Sequence, residues 1–413
     1  MRASNRLSGM TLGVAIVAAT HASRAVAFDH EFLPLGASAK FQAGAGAVTA
    51  RGAPAVLYNP ANLSRDPKSE AYAELSVMSL RYTYEYPGQR STGVTLVTPV
   101  PLLGASFRLS PQWSLGVVAL VAPSGGPAQS AKGVPSRHFG EEPVLLDLAI
   151  GGGRSPSSLL GFGLAYRPWA PLALGISVSR THVFSDLEVA DHGTGHVLGH
   201  LDADVERIVP TLGFNLQLGD HVAVGAAADA EHATRIRVKA QGEDGESQSR
   251  SGRRGGRERL AAALSLGRTR TFVEGQHVRH AADRDGPFDL NPDAATPASV
   301  HDTMNAIGGT SIRTVGRDRI SVAYGWFPSP LGDGVMAGSA DDGQERSGVE
   351  FGKLDGVSRN VYGIGYELRR GFGRISCGLS HHRGRRTVPE TSRGYGTYTL
   401  EITYAGCETG LTF

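Results

Sequence analysis

The strongest constraint on this chain is a set of alternating segments whose two faces do not suit a sheet in water. Leu160, Phe162, Leu164 and Tyr166 alternate with Gly161, Gly163 and Ala165. Leu172, Leu174, Ile176 and Val178 alternate with Ala173, Gly175 and Ser177. The same rhythm recurs over Leu212–Leu218, Ile320–Trp326 and Tyr362–Leu368. Residues two apart share a face of an extended strand, so each run has one bulky apolar face. In a half-solvated sheet the other face is rich in Lys, Glu and Thr. Here it is mostly Gly, Ala and Ser, which suits a crowded interior and sends the bulky face outward. A greasy outward face is stable only against lipid. The structure that then pairs every backbone group is a closed transmembrane β-barrel.

Composition narrows the alternatives. Gly accounts for 55 of 413 residues and charged residues for 19%, while no apolar run reaches the roughly 18 residues of a membrane-spanning helix. The net charge of +2 offers no basic field for nucleic acid. Two cysteines exclude a disulfide-stapled fold and a cysteine zinc cluster. The start of the chain reads as an address. Arg2 and Arg6 precede the short apolar stretch Met10–Thr20, and Ala25-Val26-Ala27 supplies small residues for cleavage. Residues 1–27 are therefore expected to be a secretory signal peptide, and the protein to act outside the cytoplasm.

Turn lengths predict the topology. Tight turns are expected at Ser110–Gln112, Arg167–Pro171, Gly219-Asp220, Gly267-Arg268, Val315–Asp318 and Arg369–Gly371. Long polar connections separate them at about 123–142, 190–201, 241–256, 281–299, 331–356 and 383–395. With one strand near 70–84 and a last one near 396–413, the count is fourteen antiparallel strands. An even count with short turns on one side puts both termini in the periplasm. Ser155–Ser158 is read as a kink rather than a turn. Trp113, Trp169 and Trp326 fall near strand ends, where interfacial belts place them. The chain ends on Phe413, which resembles the terminal aromatic signal that barrel-assembly machinery reads in outer-membrane proteins.

Residues 28–68 do not read as strand. Small residues dominate, Gly36, Gly44, Gly46, Gly52, Pro54 and Pro60 interrupt, and Phe28, Phe32, Leu35, Phe41, Val56 and Tyr58 want burial. The segment is read as a plug in the bore, with residues 69–413 as the barrel. Here the sequence resembles the FadL/TodX family of outer-membrane transporters for long-chain fatty acids and aromatic hydrocarbons. The resemblance lies in the Gly/Ala-rich stretch from Gly36 to Arg65, in Gly44-x-Gly46-Ala47, and above all in Tyr58-Asn59-Pro60-Ala61-Asn62-Leu63. It extends loosely through Leu115–Pro123 and the alternating hairpins. It implies a fourteen-stranded barrel, an N-terminal hatch that moves on ligand binding, and sideways exit through a kinked wall. It also implies a hydrophobic ligand near Phe28 and Phe32. The wall gap is expected near strand three, where Pro123 and Gly125-Gly126 end the run. Outer-membrane lipid, lipopolysaccharide and the assembly machinery are the other expected partners of a monomeric barrel in a Gram-negative outer membrane. No cofactor is implied.

Other groups have plainer readings beside the functional ones. His192, His196 and His200 repeat every four residues, but Gly193, Gly195 and Gly199 argue against a helix and for a solvated loop. Asp283, Asp285 and Asp289 lack the closing Glu of a calcium loop. Arg250, Arg253, Arg254 and Arg257 either meet lipopolysaccharide phosphates or stay solvated. Cys377 and Cys407 fall on the last two strands. Their pairing stays open, because Tyr398–Tyr404 and Leu411/Phe413 have opposite parities and imply a bulge at Gly406. No nucleophile elbow, phosphate loop or HExxH occurs. The competing readings are a surface barrel with a structural or adhesive role, and a barrel-scaffold hydrolase using His138, His182 or His280.

Overall fold

The structure, a computed structural model, describes residues 35–86, 89–122, 129–136, 144–150, 157–191, 197–230, 232–241, 247–254, 256–279, 302–314, 318–329, 357–388 and 396–413. The strands are β1 (Glu70–Tyr86), β2 (Gln89–Arg108), β3 (Trp113–Ala122), β4 (Gln129–Ser136), β5 (Val144–Ile150), β6 (Ser157–Trp169), β7 (Leu172–Asp191), β8 (Val197–Leu218), β9 (Val222–Asp229) and β10 (His232–Gln241). They continue as β11 (Ser247–Arg254), β12 (Arg257–Leu266), β13 (Thr269–Val278), β14 (Thr303–Arg313), β15 (Arg319–Phe327), β16 (Arg359–Arg370), β17 (Gly373–Val388) and β18 (Gly396–Thr412).

These segments make a closed antiparallel barrel of fourteen staves. Four staves consist of two segments each. β9 and β10 both pair with β8, while β9 pairs with β12 and β10 with β11. Likewise β3 pairs with β6 and β4 with β5, and both β5 and β6 pair with β7. The break between β5 and β6 is therefore an interruption within one stave, as expected for Ser155–Ser158, although residues 151–156 themselves lie outside the described residues. Closure is made by β1 on β18, from Glu70 opposite Thr412 to Glu85 opposite Thr397. Closure leaves β1 and β18 without a free edge, each paired on both sides.

The apolar face points out, as the alternation requires. Leu212 is 64% exposed, Leu260 63%, Val273 60% and Ile176 56%. Exposed large apolar residues occur on staves all round the cylinder, far beyond the patch a soluble monomer tolerates. Trp113 and Trp169 are exposed beside tight turns, and Trp326 is exposed near the far end of β15. This is the exterior of a membrane barrel with aromatic residues toward its rims.

Three expectations need correction. Polar stretches assigned to long connections are partly strand: β7 reaches Asp191, β8 starts at Val197, β10 and β11 fill much of 232–254, and β17 reaches Val388. A ladder of backbone hydrogen bonds persists past the apolar belt, so polarity marks water there rather than the end of pairing. His200 accordingly sits in β8 opposite Glu188, and Arg250, Arg253 and Arg254 sit in β11 rather than in a loop. His192, His196, His138, His280, Asp283, Asp285 and Asp289 lie outside the described residues. The second correction concerns β18. Its register with β1 and β17 is unbroken, so Gly406 makes no bulge. Leu400, Ile402 and Tyr404 share the inward parity of Gly406 and Glu408, and all but Gly406 are buried. Third, the inner face is not small everywhere: on β1, β2 and β18 it also carries Tyr72, Met78, Leu102 and Glu408. The cysteines point the other way. Cys377 lies directly opposite Cys407 and the two form a disulfide, settling the question left open by the sequence.

The inner face explains the glycines. A β-carbon at Gly175 would overlap the Ala61 backbone nitrogen, one at Gly213 the Asn59 side chain, one at Gly225 the Ala47 carbonyl, and one at Gly363 the Phe41 carbonyl. The wall is small where the N-terminal segment lies against it. Gly175→Val should therefore unseat that segment while β7 still pairs, at a cost of about 1–3 kcal/mol. Folding would be checked by heat-modified gel mobility and unseating by higher ion conductance in a planar bilayer. A quiet bilayer with an unchanged melting point would contradict the fit.

Candidate functional site

Residues 35–65 enter the bore as short turns linked by irregular chain. They comprise α1 (Ala37–Phe41), α2 (Ala55–Tyr58) and a 3-10 turn over Pro60–Arg65. So little regular structure leaves backbone donors and acceptors unpaired in a buried place, and each must find a partner. The barrel wall provides them. Ser177 donates to the Val56 carbonyl at 2.7 Å, Arg259 to the Tyr58 carbonyl at 3.0 Å, and Arg108 to the Ser64 carbonyl at 2.9 Å. In the other direction the backbone N–H groups of Gly46 and Ala47 both donate to one Glu274 carboxylate oxygen at 2.9 Å, and Ser38 N–H donates to Glu408 at 3.1 Å.

The Asn59-Pro60-Ala61-Asn62 step is the central clasp. Asn59 has an extended backbone, and its side-chain oxygen accepts from Ala61 N–H at 3.1 Å, starting the 3-10 turn with Pro60 at its first position. Its amide nitrogen donates to the Ala47 carbonyl at 2.6 Å and to the Phe214 carbonyl of β8 at 2.8 Å. Asn62 donates to the Ala47 carbonyl at 3.1 Å and accepts from Asn215 of β8 at 2.8 Å. Two amide side chains thus tie the first half of the hatch to the second and both to the wall. Ala61 is 0% exposed and lies over Gly175. Gly44 has φ of 90°, a left-handed value that favours glycine and lets the chain reverse after α1. Gly46 is held by proximity instead, because the Tyr58 ring fills the place of a β-carbon.

Next to the clasp lies a buried charged network. Lys40, in α1, is 1% exposed and forms an ion pair with Glu74 of β1. It also donates to Ser76 at 2.8 Å, with its ammonium 5.9 Å from the centre of the Tyr404 ring. Tyr72 places its hydroxyl 2.8 Å from Glu408 and 3.0 Å from Glu74. Arg374 of β17 bonds Glu70 at 2.8 Å and Glu408 at 2.9 Å. The hatch contributes one cation to a wall that carries the acids.

An apolar cluster completes the interior. Leu35, Val56, Tyr58 and Leu63 of the hatch join Met78, Val100, Leu102, Val118, Leu120, Leu159, Leu400, Ile402 and Tyr404 of the wall. These wall residues come from β1, β2, β3, β6 and β18, one continuous sector. Its upper edge is the place where β3 stops at Ala122 and β4 resumes at Gln129. Pro123, Gly125 and Gly126, where the gap is expected, lie outside the described residues, as do Phe28 and Phe32. Gly44, Gly46, Asn59, Pro60 and Ala61 are brought together in the hatch. Phe413 is apart from them, 68% exposed at the tight-turn rim, with its N–H on the Ser69 carbonyl at 3.0 Å and its ring 6.5 Å from Phe107. His182 has the outward parity of Val178 and Arg180 on β7.

Sequence reasoning passed over Lys40, Glu74, Glu274, Arg374 and Glu408. One signal was available: Glu70, Tyr72, Glu74 and Ser76 alternate on one face of β1, and Lys40 is a lone cation in an apolar segment.

Fold and interior together define a membrane barrel with its own N-terminal segment packed against the inner wall. No family model matches the chain, and no curated protein matches it. Solved structures do. A Pseudomonas aeruginosa FadL homologue superposes with a TM-score of 0.62 at 13% identity, over 92% of this chain and 98% of the other. The Pseudomonas putida toluene transporter TodX gives 0.61 at 16% identity, over 92% and 98%. The Ralstonia pickettii toluene transporter TbuX gives 0.60 at 14%, again over 92% and 98%. At such identities the likeness is one of fold: the chain has the FadL-type barrel architecture.

The Lys40–Glu74 pair allows a direct test. Lys40→Met leaves Glu74 buried without its cation, and urea unfolding should show a loss of about 3–5 kcal/mol. The double variant Lys40→Met/Glu74→Met should recover most of that loss. A double variant as unstable as the single one would mean that the pair does not hold the hatch.

Proposed function

We propose that the protein is an outer-membrane channel for passive uptake of hydrophobic small molecules, long-chain fatty acids or related hydrocarbons, in a Gram-negative bacterium. The observation that carries this reading is the apolar sector of the bore. A pore for polar solutes needs a wet, charged lining throughout. Here one sector, from β18 to β6, lines the interior with Leu, Ile, Val, Met and Tyr, and hatch residues pack on it. An apolar ligand gains roughly 0.8 kcal/mol per methylene buried, so partition alone can drive entry.

In this reading Phe28 and Phe32 meet the ligand at the leading end of the hatch. Asn59, Pro60 and Ala61 hold the body of the hatch fixed, and Gly44 and Gly46 form the turn about which the leading part moves. The ligand leaves sideways where the stave is interrupted after Ala122, next to Leu120 and Leu159. The exposed apolar belt faces outer-membrane lipid and lipopolysaccharide. Phe413 at the rim is presented to the barrel-assembly machinery. Support for the transport class comes from neighbours of like fold named as toluene transporters. Among the described residues the bore is lined by packing and hatch-holding side chains, which supports the channel over the hydrolase reading, and an adhesive barrel has no need of a seated apolar hatch.

Leu120→Asn and Ile402→Asn each place an amide in the apolar sector at a cost of about 1–3 kcal/mol. Uptake of a fluorescent fatty acid into cells carrying either variant should fall about tenfold, with unchanged surface levels of folded barrel. Uptake equal to that of the unaltered protein would refute the pathway. Removal of residues 28–60 should abolish selective uptake and leave a leaky pore; an unaffected protein would favour the structural barrel.

A further inference from the structure

At the tight-turn end, beneath the hatch, lies a cavity of about 200 Å³ that the transport reading does not use. Its lining includes Arg51, Arg65, Arg268, Arg270, Arg313 and Arg319 and, as the only carboxylate among the described residues there, Asp220. Arg51 and Arg65 come from the hatch. Arg270, Arg313 and Arg319 are inward-parity residues at the turn ends of β13, β14 and β15.

The nearby acids offset this group only in part. Asp66 forms an ion pair with Arg51 at 3.8 Å, and Glu367, opposite Arg319 across the ladder, is engaged by Arg369 at 2.7 Å. Arg65 and Arg270 spend donors on a single acceptor, the Val48 carbonyl. A guanidinium carries five N–H donors, so among the described residues most of theirs meet no protein acceptor. Among the described residues Arg313 and Arg319 have no side-chain hydrogen bond. Burial, with Arg51 and Arg319 close by, pushes Arg65 down to about 10. The fold thus holds like charges together around a space, with their donors unspent. Guanidinium forks match the paired oxygens of carboxylate and phosphate.

We propose that this cavity is an oxyanion site, in which Arg65, Arg270, Arg313 and Arg319 take a phosphate or carboxylate group at the tight-turn mouth of the barrel. The site does not depend on what the barrel transports. Two sources share the chemistry: a free anion from the aqueous side, or the head group of an acidic amphiphile.

The full-length protein in neutral detergent would be titrated calorimetrically with inorganic phosphate, decanoate and decanol, each against sodium chloride at matched ionic strength. The expectation is a component of phosphate binding, decanoate binding or both that depends on these arginines, while any decanol taken up by the apolar sector binds alike with and without them. Arg313→Gln/Arg319→Gln should weaken that component about tenfold per arginine removed. These two arginines do not hold the hatch, and Arg313→Gln alone keeps the test if the double variant fails to fold. Phosphate binding without decanoate assigns a free anion; decanoate without phosphate assigns an amphiphile head group. Phosphate and decanoate binding no stronger than chloride, or unchanged by both substitutions, overturns the proposal.

Discussion

Every part of this molecule answers to one constraint: a peptide group cannot be left without a hydrogen-bond partner away from water. In the wall the ladder meets it, by closing β18 on β1. In the bore the ladder is not available, because residues 35–65 lie there as turns and irregular chain. Wall side chains take over. Glu274 and Glu408 receive hatch N–H groups, while Ser177, Arg259, Arg108 and Arg270 donate to hatch carbonyls. Such contacts require close approach of backbone to wall. Gly175, Gly213, Gly225 and Gly363 permit it, since a β-carbon at any of them would collide with the hatch. The small inner face is thus the seat of one particular segment.

The charged network follows from the same crowding. Lys40 enters a bore lined on that side by Glu70, Glu74 and Glu408, with Arg374 between them. Buried ions of this kind add little net stability, because desolvation offsets much of their attraction. They do penalise wrong arrangements heavily. A hatch shifted by one step would leave Lys40 facing apolar wall and Glu74 without a cation. The network therefore acts on position more than on strength.

The two ends of the interior differ in chemistry. The sector rising from Tyr72 through Leu102 and Ile402 is apolar and ends at the interruption after Ala122. The mouth below the hatch is crowded with guanidinium groups. The hatch separates them.

Much of the architecture was legible in the residues. Leu160–Tyr166 and Tyr362–Leu368 could alternate with glycine for few other reasons, and the tight turns fixed the stave count. The clasp at Asn59-Pro60-Ala61 was visible as a motif. Less was visible in the apolar sector, where Tyr404 and Ile402 of β18, like Met78 and Leu102, face inward although bulky residues on most other staves face out. Period two tells which residues share a face but not which face is inside when both carry large side chains. The partners of Lys40 were equally hidden, since Glu74 and Glu408 are brought to it by barrel closure. Sequence alone determined the outward grease, the alternation and the strand order, because those are local and repeat every two residues. Tertiary structure alone decided which wall residues meet the hatch and that Cys377 faces Cys407, because such contacts depend on register around a closed cylinder, which no single strand contains.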